Sequence, residues 1–212
     1  FLVAYAFQRD RIEGWRGDRE QYKVMTTGGK EGWQWQPTNP ALPEHRFTSA
    51  LTWQLPVGRE RRFGTNMPAA LDYVVGGWQY TNTFRFYSGA PVLFTNAMQV
   101  SGNPKLDNPT RDQWFDTSKF SAQPSFTPRT NPVYFKGLNG PTAWFLDATL
   151  TKSFNVTGRY KVEARLEAYN LFNHIVWAQP NTTFGSGTFG KVTTKRTDAS
   201  GREVQVGLRF VF

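Results

Sequence analysis

EVQVGLRFVF, residues 203–212, is the stretch that decides the fold class. Every second position is apolar: Val204, Val206, Leu208, Phe210 and Phe212. The positions between them are mostly polar or small: Glu203, Gln205, Gly207 and Arg209. A period of two is typical of a β-strand that has one apolar and one polar face. We therefore expect a strand at the end of the chain.

The same alternation recurs upstream. In YKVEARLEA, residues 160–168, charged side chains occupy every position between the apolar ones. Helical periodicity is nearly absent, so the chain is predicted to be all-β. The six predicted strands lie near residues 1–8, 46–55, 74–88, 144–154, 159–172 and 202–212.

The connections between these strands are very unequal. Two are modest, at 56–72 and 155–158, and three are long, at 9–44, 89–142 and 174–201. Long and short connections alternate strictly along the chain. In an antiparallel meander alternate connections emerge at opposite ends of the sheet, so one end is predicted to carry all the long loops.

Composition excludes several functional classes. The 212 residues contain no Cys and two His, which leaves neither a disulfide framework nor a thiolate or His-rich metal site. No apolar run is long enough for a transmembrane helix. The net charge of +9 is dispersed rather than clustered, so a nucleic-acid partner is not expected. We expect neither a cofactor nor a metal.

Loop asymmetry separates two β architectures. A soluble β-sandwich has no reason to place every long loop at one end. An outer-membrane barrel has strands of about ten residues, short periplasmic turns and long extracellular loops. Aromatic residues near the short-turn ends fit an interfacial girdle: Trp53, Trp78, Tyr80, Phe154, Tyr160, Phe210 and Phe212. Because six strands would leave open edges in lipid, we expect this fragment to be the C-terminal part of a larger barrel.

Several motifs resemble one family. Gln205, Gly207, Phe210 and Phe212 resemble the terminal signal by which outer-membrane barrels engage the barrel-assembly machinery. Four further segments, in order, are similar to TonB-dependent receptors that carry an N-terminal carboxypeptidase-regulatory-like domain: EHRFTSALTWQLPVGRERRFG, GWQYTNTFRFYSGAPV, LNGPTAWFLDATLTKSF and EARLEAYNLFNH. QWFDTSKF and NTTFGSGTFGKVT match loop elements of the same family. The resemblance covers about residues 45–212.

The resemblance implies a 22-stranded barrel with a plug domain and a TonB box outside this chain. It implies a bacterial outer-membrane receptor that imports a scarce solute, such as an iron complex, an oligosaccharide or a peptide, without catalysis. Its partners would be membrane lipid, lipopolysaccharide, the assembly machinery, the plug, TonB and the imported ligand. The alternatives are a passive porin-like barrel, a soluble sugar-binding β-sandwich and a basic nucleic-acid-binding barrel.

Candidate site residues fall into two groups. The first is predicted to face the barrel lumen: Asp147, Lys161, Glu163, Arg165, Glu167 and Arg209. The second is a set of loop aromatics able to stack a ligand or to pack the loops together: Trp15, Trp33, Trp35, Trp114 and Phe115. Paired acid–base catalysis is rejected, because Glu163 and Glu167 lie roughly 13 Å apart along a strand, beyond the ~5–9.5 Å of glycosidase carboxylates.

Overall fold

The computed structural model describes residues 1–9, 43–127 and 130–212, without the side chain of Thr157, and only the backbone of four short strands within 10–42. The strands are β1 Leu2–Phe7, β2 Arg11–Glu13, β3 Val24–Met25, β4 Glu31–Gly32, β5 Trp35–Pro37, β6 His45–Gln54, β7 Gln79–Tyr87, β8 Gln99–Val100, β9 Phe120–Ser121, β10 Ala143–Thr157, β11 Tyr160–Tyr169 and β12 Glu203–Val211. One α-helix, α1 Ala69–Val75, lies between β6 and β7, and a 3-10 turn spans Thr117–Lys119.

Six strands form one antiparallel sheet in the order β1-β6-β7-β10-β11-β12. Strands that are neighbours in this sheet follow one another along the chain, apart from the short strands within the long connections. The predicted all-β antiparallel meander is therefore confirmed. Among the described residues, α1 and the 3-10 turn both lack the length and apolar character that a membrane-spanning helix needs.

Strand register assigns every side chain to one of two faces. Opposed residues in an antiparallel pair project to the same side of the sheet. Val162 lies opposite both Phe154 and Phe210, and Phe84 lies opposite both Ser49 and Leu146. These pairs build the apolar face. The residues between them build the polar face, as the alternating pattern predicts.

Two predicted boundaries are wrong. The turn between β10 and β11 is the two-residue segment 158–159 rather than 155–158, because pairing continues to Thr157 across a register irregularity. The strand predicted from residue 74 starts at Gln79, because residues 69–75 are helical. Leu71, Val74 and Val75 follow the i, i+3, i+4 spacing of a helix, and Gly77, with φ +71, turns the chain toward β7.

The hydrophobic core lies in the loops, not in the sheet. The segments 88–142 and 170–202 leave the same end of the sheet and fold against each other; we call them the loop layer. Its central cluster contains seven buried residues: Val92, Phe94, Met98, Phe115, Phe120, Phe135 and Leu138. Phe184 and Phe189 pack against this cluster from the second segment. The long connections are thus folded around their own core.

A buried side-chain amide forms hydrogen bonds inside this core. Asn131 has no exposed surface, its Oδ1 accepts the Met98 N–H at 2.9 Å, and its Nδ2 donates to the Asn96 carbonyl at 3.0 Å. Buried polar groups are tolerated where they are hydrogen-bonded in this way. By contrast, apolar side chains of β12 such as Val206 and Phe210 are exposed. Among the described residues, the loops therefore enclose a core, whereas the apolar face of the sheet is largely uncovered except beside α1.

Candidate functional site

The polar face of the sheet carries the charged row predicted to line a lumen. Register places all six residues of that prediction on this face: Asp147, Lys161, Glu163, Arg165, Glu167 and Arg209. Arg165 Nε lies 3.3 Å from Glu167 Oε1, and Gln205 Nε2 on β12 donates to Glu167. The row is thus partly neutralised by its own neighbours, while Lys161 and Arg209 stay exposed. That the row faces a lumen stays a prediction.

A cleft of about 840 Å³ opens where the polar face meets the loop layer. Arg46 of β6 and Tyr87 of β7 contribute from the loop end of the polar face. Trp177, Gln179 and Lys195 contribute from the segment 170–202. The cleft is therefore built jointly by strand ends and folded loops, and we call it the mouth cleft.

Two smaller clefts continue from the mouth cleft down the polar face. The first, of about 510 Å³, shares Tyr87, Arg196 and Asp198 with the mouth cleft. The second, of about 350 Å³, shares Arg85 and Asp147 with the first and extends to the threonines of β7. The three clefts share lining residues and so form a continuous track along the polar face, from the loops to the middle of the sheet; we call it the polar track.

The mouth cleft has an excess of positive charge. Its lining holds the cationic side chains of Arg46, Lys195 and Arg196 against the single carboxylate of Asp198. The Nε atom of Arg46 is buried and has no hydrogen-bond partner among the described residues. A buried donor without a partner is costly. The lining cations as a group, rather than this buried atom, suit an anionic or hydroxyl-bearing ligand.

Two contacts set the electrostatics of this cleft. Arg196 Nε donates to Asp198 Oδ1 at 2.9 Å; this hydrogen bond raises the pKa of Arg196 and lowers the pKa of Asp198. The pair therefore stays ionised. The Arg111 guanidinium lies 3.6 Å from the centroid of the Trp177 ring, a cation–π contact that holds this indole at the cleft.

The predicted loop aromatics separate into different environments. Trp114 is half-buried, and its Nε1–H donates to the Asn139 carbonyl at 2.8 Å. Phe115 has no exposed surface and lies edge-on to Phe94, with ring centroids 5.2 Å apart. The ligand-stacking prediction for Phe115 is corrected accordingly, because a fully packed ring offers no free face. Trp15, Trp33 and the side chain of Trp35 lie outside the described residues.

Predicted residues of the assembly signal lie on the outer strand of the described sheet. Gln205 and Gly207 are on the polar face, opposite Glu167 and Arg165. Phe210 is on the apolar face, and Phe210 and Phe212 are both largely exposed. Both aromatic rings are thus accessible in the described sheet, and recognition by the assembly machinery stays a prediction.

A metal centre has no support in the part of the chain that the structure describes. Those residues contain no group of three or more His, Cys, Asp or Glu side chains that could hold a metal ion. His174 stacks on Trp144, with ring centroids 4.0 Å apart, and burial lowers its pKa. His45 forms a 2.8 Å hydrogen bond through its Nδ1 to the Tyr5 hydroxyl. Both histidines therefore have local packing partners.

The sequence analysis missed the residues of the mouth cleft. Arg46, Tyr87 and Trp177 come from three separate segments, and no motif joins them. One signal was available: Arg46 and Tyr87 fall at the long-loop ends of their strands, on the polar side of the alternation. A polar-face residue at that end must lie beneath the loops, so it was a candidate for a loop-covered cleft.

Comparison with known proteins agrees with this architecture. A family model described as an outer membrane beta barrel domain matches residues 33–205, which is more than half of the chain. A search of the curated proteins and a search of the solved structures each found no match. This assignment disfavours the soluble β-sandwich that the sequence had left open. The chain belongs to the outer membrane beta barrel domain family and is located in the bacterial outer membrane.

Proposed function

We propose that this chain is the C-terminal barrel portion of a TonB-dependent receptor that imports a scarce solute and has no catalytic role. The observation that carries the proposal is the continuous polar track, which begins at the mouth cleft and descends along the polar face. A receptor needs a capture site at its loops and a polar route below it. A passive barrel needs only the route.

The chemistry of the mouth cleft narrows the solute class. Arg46, Lys195 and Arg196 favour an anionic or hydroxyl-rich solute, and Trp177 and Tyr87 offer aromatic rings. An anionic iron complex or an acidic oligosaccharide fits these groups best, whereas an apolar solute would leave Arg46 and Lys195 without an anionic partner. Basic loop residues would also meet lipopolysaccharide phosphates at the cell surface.

The experiment that tests energy coupling uses the full-length protein. The part of the gene that encodes the residues before this chain is expected to encode a plug domain and a TonB box. The purified full-length protein is expected to bind the periplasmic domain of TonB, and a variant that lacks the box is not. A gene without a plug, or a protein that ignores TonB, would favour the porin-like alternative.

The mouth cleft is tested separately. Solute uptake by cells that carry Arg46→Gln is compared with uptake by the parent strain, using whichever solute fails to accumulate when the gene is deleted. We expect Arg46→Gln to reduce uptake at low solute concentration, because it removes the guanidinium from the cleft. Arg159→Gln, in the turn between β10 and β11 at the opposite end of the sheet, is the control and should leave uptake unchanged. Equal uptake by Arg46→Gln cells and the parent would remove the mouth cleft from the capture step.

A further inference from the structure

The connection between β6 and β7, residues 55–78, carries exposed apolar side chains on the outside of the sheet. It lies at the end opposite the loop layer, where outer-membrane barrels face the periplasm. We propose that α1 and the turn before it rest in the periplasmic-leaflet interface of the outer membrane. In this arrangement α1 contacts phospholipid acyl chains, and Arg61 and Arg62 contact headgroup phosphates. The inference requires the outer-membrane location and not the coupling to TonB.

Contacts with β10 place the helix on the apolar side of the sheet. The ring centroids of Tyr73 and Phe154 are 5.4 Å apart, and Phe154 belongs to the apolar face. The Tyr73 hydroxyl donates to the Asn155 carbonyl at 3.5 Å. The helix therefore covers the lipid side of the end of β10 rather than its polar side.

Lys152 confirms that this connection is fastened to the apolar face. Its side chain is only 5% exposed although it lies in the apolar row. The ammonium donates to the Gly76 carbonyl and lies 5.0 Å from the centroid of the Phe154 ring. A lysine in a lipid-facing row ordinarily extends its ammonium to the interface. The structure instead covers it with the connection, so the polar atom is satisfied without leaving the apolar face.

The outward face of α1 is apolar and has no cover among the described residues. Leu71, Val74 and Val75 share one helical face and are 50%, 60% and 41% exposed. Asp72 points the other way, where its carboxylate accepts the Arg59 N–H at 2.7 Å. In water these three side chains would be a poorly solvated patch. Next to a lipid-facing row they extend the apolar surface into the interface.

The preceding turn supplies cations and an aromatic ring beside that face. Arg61 and Arg62 are exposed, and the Arg62 guanidinium lies 5.6 Å from the centroid of the Phe63 ring, which is itself exposed. An aromatic ring with a neighbouring guanidinium suits the boundary between acyl chains and phosphates. Two backbone hydrogen bonds of 2.9 Å, Gly58 N–H to the Phe63 carbonyl and Phe63 N–H to the Pro56 carbonyl, hold the turn in place. These hydrogen bonds lie within the chain, so the conformation of the turn does not depend on contact with lipid.

The test uses the full-length protein in vesicles of phosphatidylethanolamine and phosphatidylglycerol. An environment-sensitive fluorophore is attached to Val74→Cys, and to Lys161→Cys as the matched control. Lys161 is opposite Val211 and Asn155, near the same end of the sheet, but on the polar face. Correct folding of both variants is established by their heat-modifiable migration in gels. Leu208→Cys, on the exposed apolar face, is the positive control for insertion.

We expect nitroxide-labelled lipids to quench the label at position 74 several-fold more than the label at position 161. Aqueous iodide should show the reverse order. Equal iodide quenching at 74 and 161 would place the helix in water and overturn the inference. A label at 74 that is shielded from both quenchers would mean that a protein covers the helix, which also overturns it. The inference is also overturned if the nitroxide-labelled lipids do not quench the label at position 208.

Discussion

Arg85 of β7 and Asp147 of β10 form a diagonal ion pair across the polar face, with Arg85 Nη2 2.7 Å from Asp147 Oδ2. Asp147 Oδ1 accepts the Asn170 N–H at 3.0 Å, directly after β11. One carboxylate therefore links three consecutive strands at the point where the polar track leaves the loops. Because both side chains are partly exposed, the ion pair alone contributes modestly, and the hydrogen bond adds to it.

The first prediction separates these two roles. Asp147→Ala removes both the ion pair and the acceptor for Asn170, and should lower the free energy of unfolding by roughly 1–2 kcal/mol. Asp147→Asn keeps a side-chain oxygen for the Asn170 N–H, so it should lower the free energy of unfolding by a smaller amount. Urea unfolding of the full-length protein, followed by gel mobility, measures both, with Ser153→Ala on the same strand as control. Equal losses for Ala and Asn would contradict the bridging role.

The second prediction concerns the close approach of two glycines at the loop entry. A Cβ on Gly89 would lie 1.8 Å from the Gly140 carbonyl oxygen, whereas a Cβ on Gly187 would meet nothing within 4 Å. Gly89→Ala should therefore displace the backbone of the loop layer. It should lower the free energy of unfolding of that layer by about 1–3 kcal/mol or more. Gly187→Ala is the matched control. Protease sensitivity of the loops in intact cells measures the difference, and similar cleavage of both variants would refute the contact.

The third prediction tests whether the loop layer has a core of its own. Phe94 has no exposed surface and contacts the rings of Phe115, Phe120 and Phe135. Phe94→Ala should destabilise the loop layer by about 3–5 kcal/mol. The exposed Phe126 provides the control, because Phe126→Ala removes no packed ring.

We expect Phe94→Ala to expose the loops to protease while the barrel keeps its folded gel mobility. Simultaneous loss of the barrel would show that loops and sheet unfold as one unit. Unchanged protease resistance would show that the cluster does not hold the loops.

The fourth prediction concerns pH. Burial lowers the pKa of His174, whose ordinary value is 6.5, so the unfolded chain binds a proton more readily than the folded one. Stability therefore increases as pH rises through the folded-state value toward 6.5, and is reduced at lower pH. Loop stability measured from about pH 8 to about pH 5 should fall more in the wild type than in His174→Phe, which keeps a ring against Trp144. Identical pH profiles for the wild type and for His174→Phe would contradict the link between His174 protonation and loop stability.

Much of the sheet was predictable because its period-two pattern is a local property. The faces of β11 and β12 follow directly from alternating charged and apolar residues. Residues 74–78 were wrongly predicted as strand, since Val74 and Val75 are the last residues of α1. The helical spacing of Leu71, Val74 and Val75 was the signal that was missed.

The loop layer and the mouth cleft could not be predicted from the sequence, for a different reason. Phe94 and Phe189 pack in one cluster although they lie in separate connections, and no local pattern shows which aromatics meet. Phe115 illustrates the consequence: a loop aromatic offered for ligand stacking is part of the core. Arg46 and Trp177 likewise line one cleft only because the start of β6 and the segment 170–202 lie at the same end of the sheet.

The most direct test of the central claim, that one face of the sheet meets lipid and the other does not, is a nitroxide scan of β12. The chain has no Cys, so single cysteines placed at residues 204–211 of the full-length protein give one label each within this segment. Collision rates with oxygen, which partitions into lipid, should peak at positions 204, 206, 208 and 210. Rates with a water-soluble nickel complex should peak at 205, 207 and 209. Uniform rates along the strand, or the opposite order, would contradict the account.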